Sequence, residues 1–292
     1  DVHYLTVLSR LTAPIATNHQ VTIVNALLSL ERKLEGQQVR SKQYWSSRLA
    51  EIVGQFVARH AGMADMILRH PSFASPGHVA IVPSLGQAKR LPAARLFAAA
   101  VAKRPGFVWT LQLIDLLSAL PPEEANALFR AQWNNLALRE ELTIRLSRKP
   151  EVVDMDKFIM GLGSPRGEAV IASASALLQL PPHAKTILPA MKALQRHLVD
   201  AKDQALRSML VTLINHEART SFSSHELGGQ SIAIKKTFQP IFDWFRKQHP
   251  EVAKQLEIDS EDATNWAAIL GAVSWDKGDA VRGKNIFVLR GC

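Results

Sequence analysis

The sequence predicts an all-α chain, built either as an α-solenoid of stacked helix pairs or as a helical bundle, and three observations carry that prediction. Apolar residues recur at helical spacing along most of the 292 residues. Prolines fall mostly between these stripes, and strand-like alternation is scarce. Hydrophobic residues make up 47% of the chain and charged residues 21%, enough apolar surface to fold and too much for a disordered segment.

The stripes follow in order. Ile23, Leu27, Leu30 and Leu34 are spaced i, i+4, i+7 and i+11, as are Trp45, Leu49, Ile52 and Phe56, and later Ile187, Met191, Leu194 and Leu198. Shorter matches are Phe107, Leu111 and Ile114; Phe129, Trp133 and Leu136; Val170, Ala174 and Leu177; and Leu206, Leu210 and Leu213. Such spacing puts each set on one helix face, with charges such as Glu31, Arg32, Lys33 and Glu35 largely off it. Pro71, Pro76, Pro83, Pro92, Pro105, Pro121-Pro122, Pro150, Pro165 and Pro181-Pro182 mark the breaks, since proline lacks a donor and clashes with the preceding turn. Pro189 falls inside a stripe and requires a first helical turn. Only His78 to Val82 and Ser231 to Ile234 have the composition of short extended runs, and neither has a hairpin partner.

Leu116-Leu117-Ser118-Ala119-Leu120-Pro121-Pro122 is echoed by Leu177-Leu178-Gln179-Leu180-Pro181-Pro182. Each copy is expected to end one helix and open another, the way helix pairs stack in solenoids, and on this echo residues 1–217 resemble a HEAT-like helical-repeat domain. Residues 218–277 are expected to form a loop and helical connector. Ser221, Ser223, Ser224, Gly228, Gly229 and Ser231 make its first part, residues 218–240, turn-rich, and a long loop or subdomain boundary is expected there. An aromatic helix with Phe242, Trp244 and Phe245 follows, then an acidic helix opening at Asp259-Ser260-Glu261-Asp262 and a stripe of Trp266, Ile269, Leu270 and Val273.

Charge and cysteine content exclude several function classes. Lys and Arg total 35 against 26 Asp and Glu, a net charge of +9. The basic residues come as scattered pairs: Arg32-Lys33, Lys89-Arg90, Lys103-Arg104, Arg148-Lys149, Lys235-Lys236 and Arg246-Lys247. That distribution reads as a solvated surface. A helical-repeat nucleic-acid binder, similar in outline to the HEAT-like DNA glycosylases, is therefore not favoured. A single cysteine, Cys292, excludes an intrachain disulfide framework and a multi-cysteine zinc site. No run approaches 18 uninterrupted apolar residues, so no membrane span is expected.

Catalytic signatures are not found. His216-Glu217 and His225-Glu226 open like zinc-protease helices but lack a second histidine four residues on, so the ligand pair is missing and capping or surface roles are expected. Gly161, Gly163 and Gly167 miss the dinucleotide-binding spacing by one residue and read as a turn between helices. No phosphate loop, nucleophile elbow or carboxylate pair appears, and Cys292 has no identifiable histidine partner for thiol catalysis. Whether the parent protein is an enzyme stays open.

The informative stretch is Gly278-Asp279-Ala280-Val281-Arg282-Gly283-Lys284-Asn285-Ile286-Phe287-Val288-Leu289-Arg290-Gly291-Cys292. Gly283 and Phe287 share a helix face, the glycine permitting close approach of another helix and the aromatic packing beside it. This string resembles the opening helix of a class I c-type cytochrome domain, which leads into C-x-x-C-H. With the helical region before it and Trp266 and Trp275 between, the chain is similar to the large haem-binding CxxCH proteins of planctomycetes. The resemblance implies that Cys292 is the first haem thiol and that residues 278–292 open a cytochrome c domain, with haem c as cofactor and its iron as the bound metal ion. It further implies electron transfer, an upstream dehydrogenase-like domain, a redox partner protein and a periplasmic or otherwise exported location. The chain opens Asp1-Val2-His3-Tyr4 with no signal-peptide pattern and ends on Cys292, so it is expected to start mid-protein and to stop at the first residue of its haem motif. The alternative is a HEAT-like protein-binding scaffold with no redox role.

Overall fold

Where the apolar stripes run unbroken, the chain is helical. In the computed structural model, residues 7, 10, 15–35, 42–198, 201–225, 231–258, 278–281 and 283 are described, and every regular element among them is an α-helix or a 3-10 helix. None of the described helices is long and apolar enough to cross a membrane. The fold packs as two units, Asp1–Phe129 and Arg130–Cys292.

In the first unit, α1 (Thr17–Glu35) and α2 (Lys42–Arg59) pack together, and α3 (Met63–Arg69) lies against both. Leu27 and Leu30 of α1 and Leu49, Ile52 and Phe56 of α2 are buried, as their spacing predicts. The run expected to be extended at His78 to Val82 instead belongs to a 3-10 helix, Pro76–Leu85, which packs chiefly on α2. Two of its three faces are buried, one through His78 and Ile81 and one through Val79, Val82 and Leu85, while Pro83 on the third is exposed. A strand there would need a ladder partner, whereas local i to i+3 bonding satisfies the buried backbone without one. Gly86, at φ 92°, then turns the chain into α4 (Arg90–Lys103). Pro92 sits in the first turn of α4, and Ala93, Ala94 and Phe97 bury its inner face.

Helix α5 (Leu111–Leu117) corrects one stripe. Thr110 caps it, its Oγ1 accepting from the Leu113 amide at 3.1 Å, so Phe107 lies in the preceding turn and Leu111 faces solvent. Helix α6 (Pro122–Ala131) opens at Pro122 as the echo predicts, with Glu123 and Glu124 in its first turn. It ends at Ala131, so Trp133 and Leu136 do not continue the face of Phe129.

The second unit adds α7 (Arg139–Leu146), α8 (Met155–Gly161), α9 (Gly167–Leu177), α10 (Ile187–Arg196) and α11 (Gln204–Ala218). Alternate helices lie side by side: α9 packs against α7 and α11, while α8 packs on α7 and α9, and α10 on α11. Pro189 occupies the first turn of α10, where its missing donor costs no hydrogen bond. The turn-rich region is shorter than expected, and the run expected to be extended at Ser231 to Ile234 is helical, because α12 begins at Ser231 and runs to Gln248 with Pro240 inside it. Isoleucine and phenylalanine decide this: Ile234, Phe238, Ile241, Phe242 and Phe245 bury one face of α12. Helix α13 (Pro250–Ile258) packs on α12 and α10, and Gln195 of α10 donates to the Leu256 carbonyl at 3.2 Å.

Candidate functional site

The predicted haem-side residues are only partly described. The Gly283 amide donates to the Asp279 carbonyl at 2.9 Å, the bond of a helical turn. Gly283 is exposed, and among the described residues nothing lies within 4 Å of a Cβ built on it. Phe287, Cys292, Trp266, Trp275 and the acidic opening at 259–262 lie outside the described residues.

The histidine candidates resolve into structural roles. The Glu217 carboxylate is buried and accepts from the His183 amide at 2.5 Å, tying α11 to the turn before α10. His216 Nδ1 lies 3.5 Å from the same carboxylate without a hydrogen bond to it. The His225 amide donates to Ser223 Oγ, while Glu226 lies outside the described residues. Among the described residues no group of three or more His, Cys, Asp or Glu is placed to hold a metal ion. Gly161 ends α8, Gly163 lies in the turn and Gly167 opens α9, as the spacing indicated.

Two concave features present chemistry. In the second unit a cleft of about 320 Å³ is lined by Trp133, Leu136, Arg139, Glu140, Met160 and Ser164, among others. The Arg139 guanidinium stands 5.5 Å from the Trp133 ring centroid, and its Nε donates to the Trp133 carbonyl at 3.0 Å. Lys157 Nζ lies 5.8 Å from the same ring. Ser164 Oγ donates to Glu140 at 2.7 Å and accepts from the Arg166 amide, closing the rim. Beneath it, buried Asp154 accepts a bidentate pair from Arg130, at 3.0 and 2.7 Å, and Lys157 stands 3.0 Å away. That ion cluster raises the Arg130 pKa further, chiefly through the Asp154 hydrogen bond, and fixes the guanidinium as a permanent cation.

In the first unit a wider trough of about 740 Å³ runs between α3 and α4. Its floor is apolar, from Leu68, Phe73, Pro92, Leu96 and Ala99, and its rim carries Arg69, Arg95, Lys103 and Arg104. Its one carboxylate, Asp65, is already engaged by Lys89 at 2.6 Å, a hydrogen bond that holds the Asp65 pKa below its ordinary value. Sequence reading found only the Lys103-Arg104 pair of this rim. Arg69 and Arg95 come from different helices, and nothing in the local sequence signals that packing brings them together.

No family model, curated protein or solved structure matches the chain.

Proposed function

We propose that this chain is the helical scaffold segment of a multidomain c-type cytochrome, with haem binding and electron transfer belonging to a domain that opens at Gly278. The string from Gly278 to Cys292 carries this reading, and the helical turn closed by Gly283 and Asp279 is consistent with its first helix. The side-by-side order of α7, α9 and α11, with α8 and α10 alternating between them, supports a HEAT-like repeat as the scaffold. An upstream dehydrogenase-like domain, a redox partner protein and a periplasmic or otherwise exported location are part of the same proposal.

Three of the described histidines are already committed to hydrogen bonds within the fold. His78 is buried with both ring nitrogens engaged, by the Leu28 carbonyl and the Ser75 amide. His70 is held by Asn25 and His197 by Asp203. Attachment would rest on Cys292 together with a second cysteine and an axial histidine that a C-x-x-C-H motif requires. In this proposal the described helices position that domain. Acid–acetone extraction of the natural full-length protein tests the reading: haem that stays with the polypeptide supports it, and a haem-free protein rejects it.

The second reading, a protein-binding scaffold without redox chemistry, is favoured by the basic, apolar-floored trough between α3 and α4. Nucleic-acid binding is less well supported. Lys89, Arg90 and Arg246, from three of the scattered basic pairs, are engaged by Asp65, Asp115 and Asp243.

A further inference from the structure

We propose that the trough between α3 and α4 is a docking site for an acidic amphipathic helix of a partner protein. The argument begins with what α4 leaves uncovered. Pro92, Arg95, Leu96, Ala99, Ala100 and Lys103 are spaced to share one face of the helix, opposite the buried Ala93, Ala94 and Phe97. Leu96 on this face is 39% exposed, a large apolar side chain at the helix surface beside the trough. Ala99 and Ala100 leave room for a partner backbone to approach, while Leu68, Phe73 and Ala74 close the floor.

Charge selects the occupant. Arg95, Lys103 and Arg104 are exposed and have no ion-pair partner among the described residues. Arg69 adds a fourth cation from α3, and the only lining carboxylate is neutralised by Lys89. Four cations around an apolar floor complement a helix with leucine-like side chains on one face and carboxylates flanking them. Single-stranded nucleic acid is a poorer match, because base stacking needs free ring faces: Phe73 of the lining is buried, and the other lining ring, His70, is held by Asn25. A bilayer is also a poorer match, since the apolar residues lie in a concavity and not on a protruding face.

The proposal does not depend on haem attachment, and its test reads binding alone. A labelled helical peptide of roughly 20 residues, with leucines on one face and glutamates beside them, is titrated with the 292-residue chain. Saturable binding that weakens as salt rises is expected. Arg95→Glu combined with Lys103→Glu weakens it at least about tenfold. Leu96→Ala weakens it too, with the salt dependence retained. Arg246→Glu with Lys247→Glu in the second unit leaves it unchanged, and circular dichroism confirms that each variant is folded. Absence of peptide binding overturns the proposal, as does binding indifferent to Arg95 and Lys103. Preferential binding of a single-stranded oligonucleotide, or of phosphatidylserine vesicles, through the same residues also overturns it.

Discussion

Gly161, the last residue of α8, lies directly against Ser173 in the middle of α9. A Cβ on Gly161 would overlap the Ser173 hydroxyl and stand 3.0 Å from Thr143 Cγ2 of α7. Three helices of the second unit therefore meet where only a glycine fits. Gly161→Ala is expected to cost about 1–3 kcal/mol by overpacking. Ser173→Ala is expected to be close to neutral, because the Ser173 hydroxyl is buried without a hydrogen-bond partner. In a Ser173→Ala background the Gly161→Ala cost should fall by more than half. Urea unfolding of the four proteins in this cycle measures the coupling; additive effects would place the clash elsewhere.

Asp154 is fully buried and depends on Arg130 and Lys157 for its charge balance. Arg130→Ala removes the bidentate partner and leaves that carboxylate with Lys157, so it is expected to destabilise the second unit by up to about 3 kcal/mol. Arg130→Lys keeps a cation but loses the bidentate fork, so its loss should be intermediate. Thermal unfolding ranks the three proteins, and equal stability of Arg130→Ala and the parent would refute the assignment.

His78 supplies a pH dependence whose sign can be worked out. Burial is the main cause that lowers its pKa from 6.5 to about 4, against the Leu28 hydrogen bond. The unfolded chain therefore binds this proton more readily than the folded one. The neutral ring's contribution is fully present above pH 6.5 and is lost as the pH falls from there toward about 4. The full loss is roughly 3 kcal/mol. His78→Gln, which can still donate to a carbonyl and accept from an amide, should show a shallower decline of thermal midpoint over that window. An unchanged slope would show that other groups control it.

Asn215 organises the end of α11. Its side-chain oxygen accepts from the Phe222 amide at 2.8 Å and from Thr220 Oγ1 at 2.9 Å, and its amide nitrogen donates to the Phe222 carbonyl. Between them Arg219 is held at φ 54°, a left-handed conformation that favours glycine. Arg219→Gly is expected to stabilise the second unit by up to about 1 kcal/mol, and Asn215→Ala to destabilise it by a similar or larger amount. Amide exchange across 219–225 should slow in the first variant and quicken in the second.

Legibility in the sequence followed the range of the interactions. Leu49, Ile52 and Phe56, or Leu206, Leu210 and Leu213, were readable because one helix face buries them and spacing alone encodes a face. Leu111 and Trp133 misled because a cap at Thr110 and a helix end at Ala131 interrupt a periodicity that continues by coincidence. The 3-10 helix at 76–85 was hidden for a different reason, since a short, mostly apolar run carries neither a clear alternation nor an α-helical stripe. The trough was the least legible feature. It needs Arg69 and Arg95 from separate helices, and no local pattern records which helices will pack.

Covalent haem at Cys292 is the central claim, and peptide mass spectrometry of the natural full-length protein tests it most directly. The account predicts that the proteolytic peptide containing Cys292 carries haem and includes a second cysteine three residues on, followed by histidine. A peptide with unmodified Cys292 and a different continuation would contradict it.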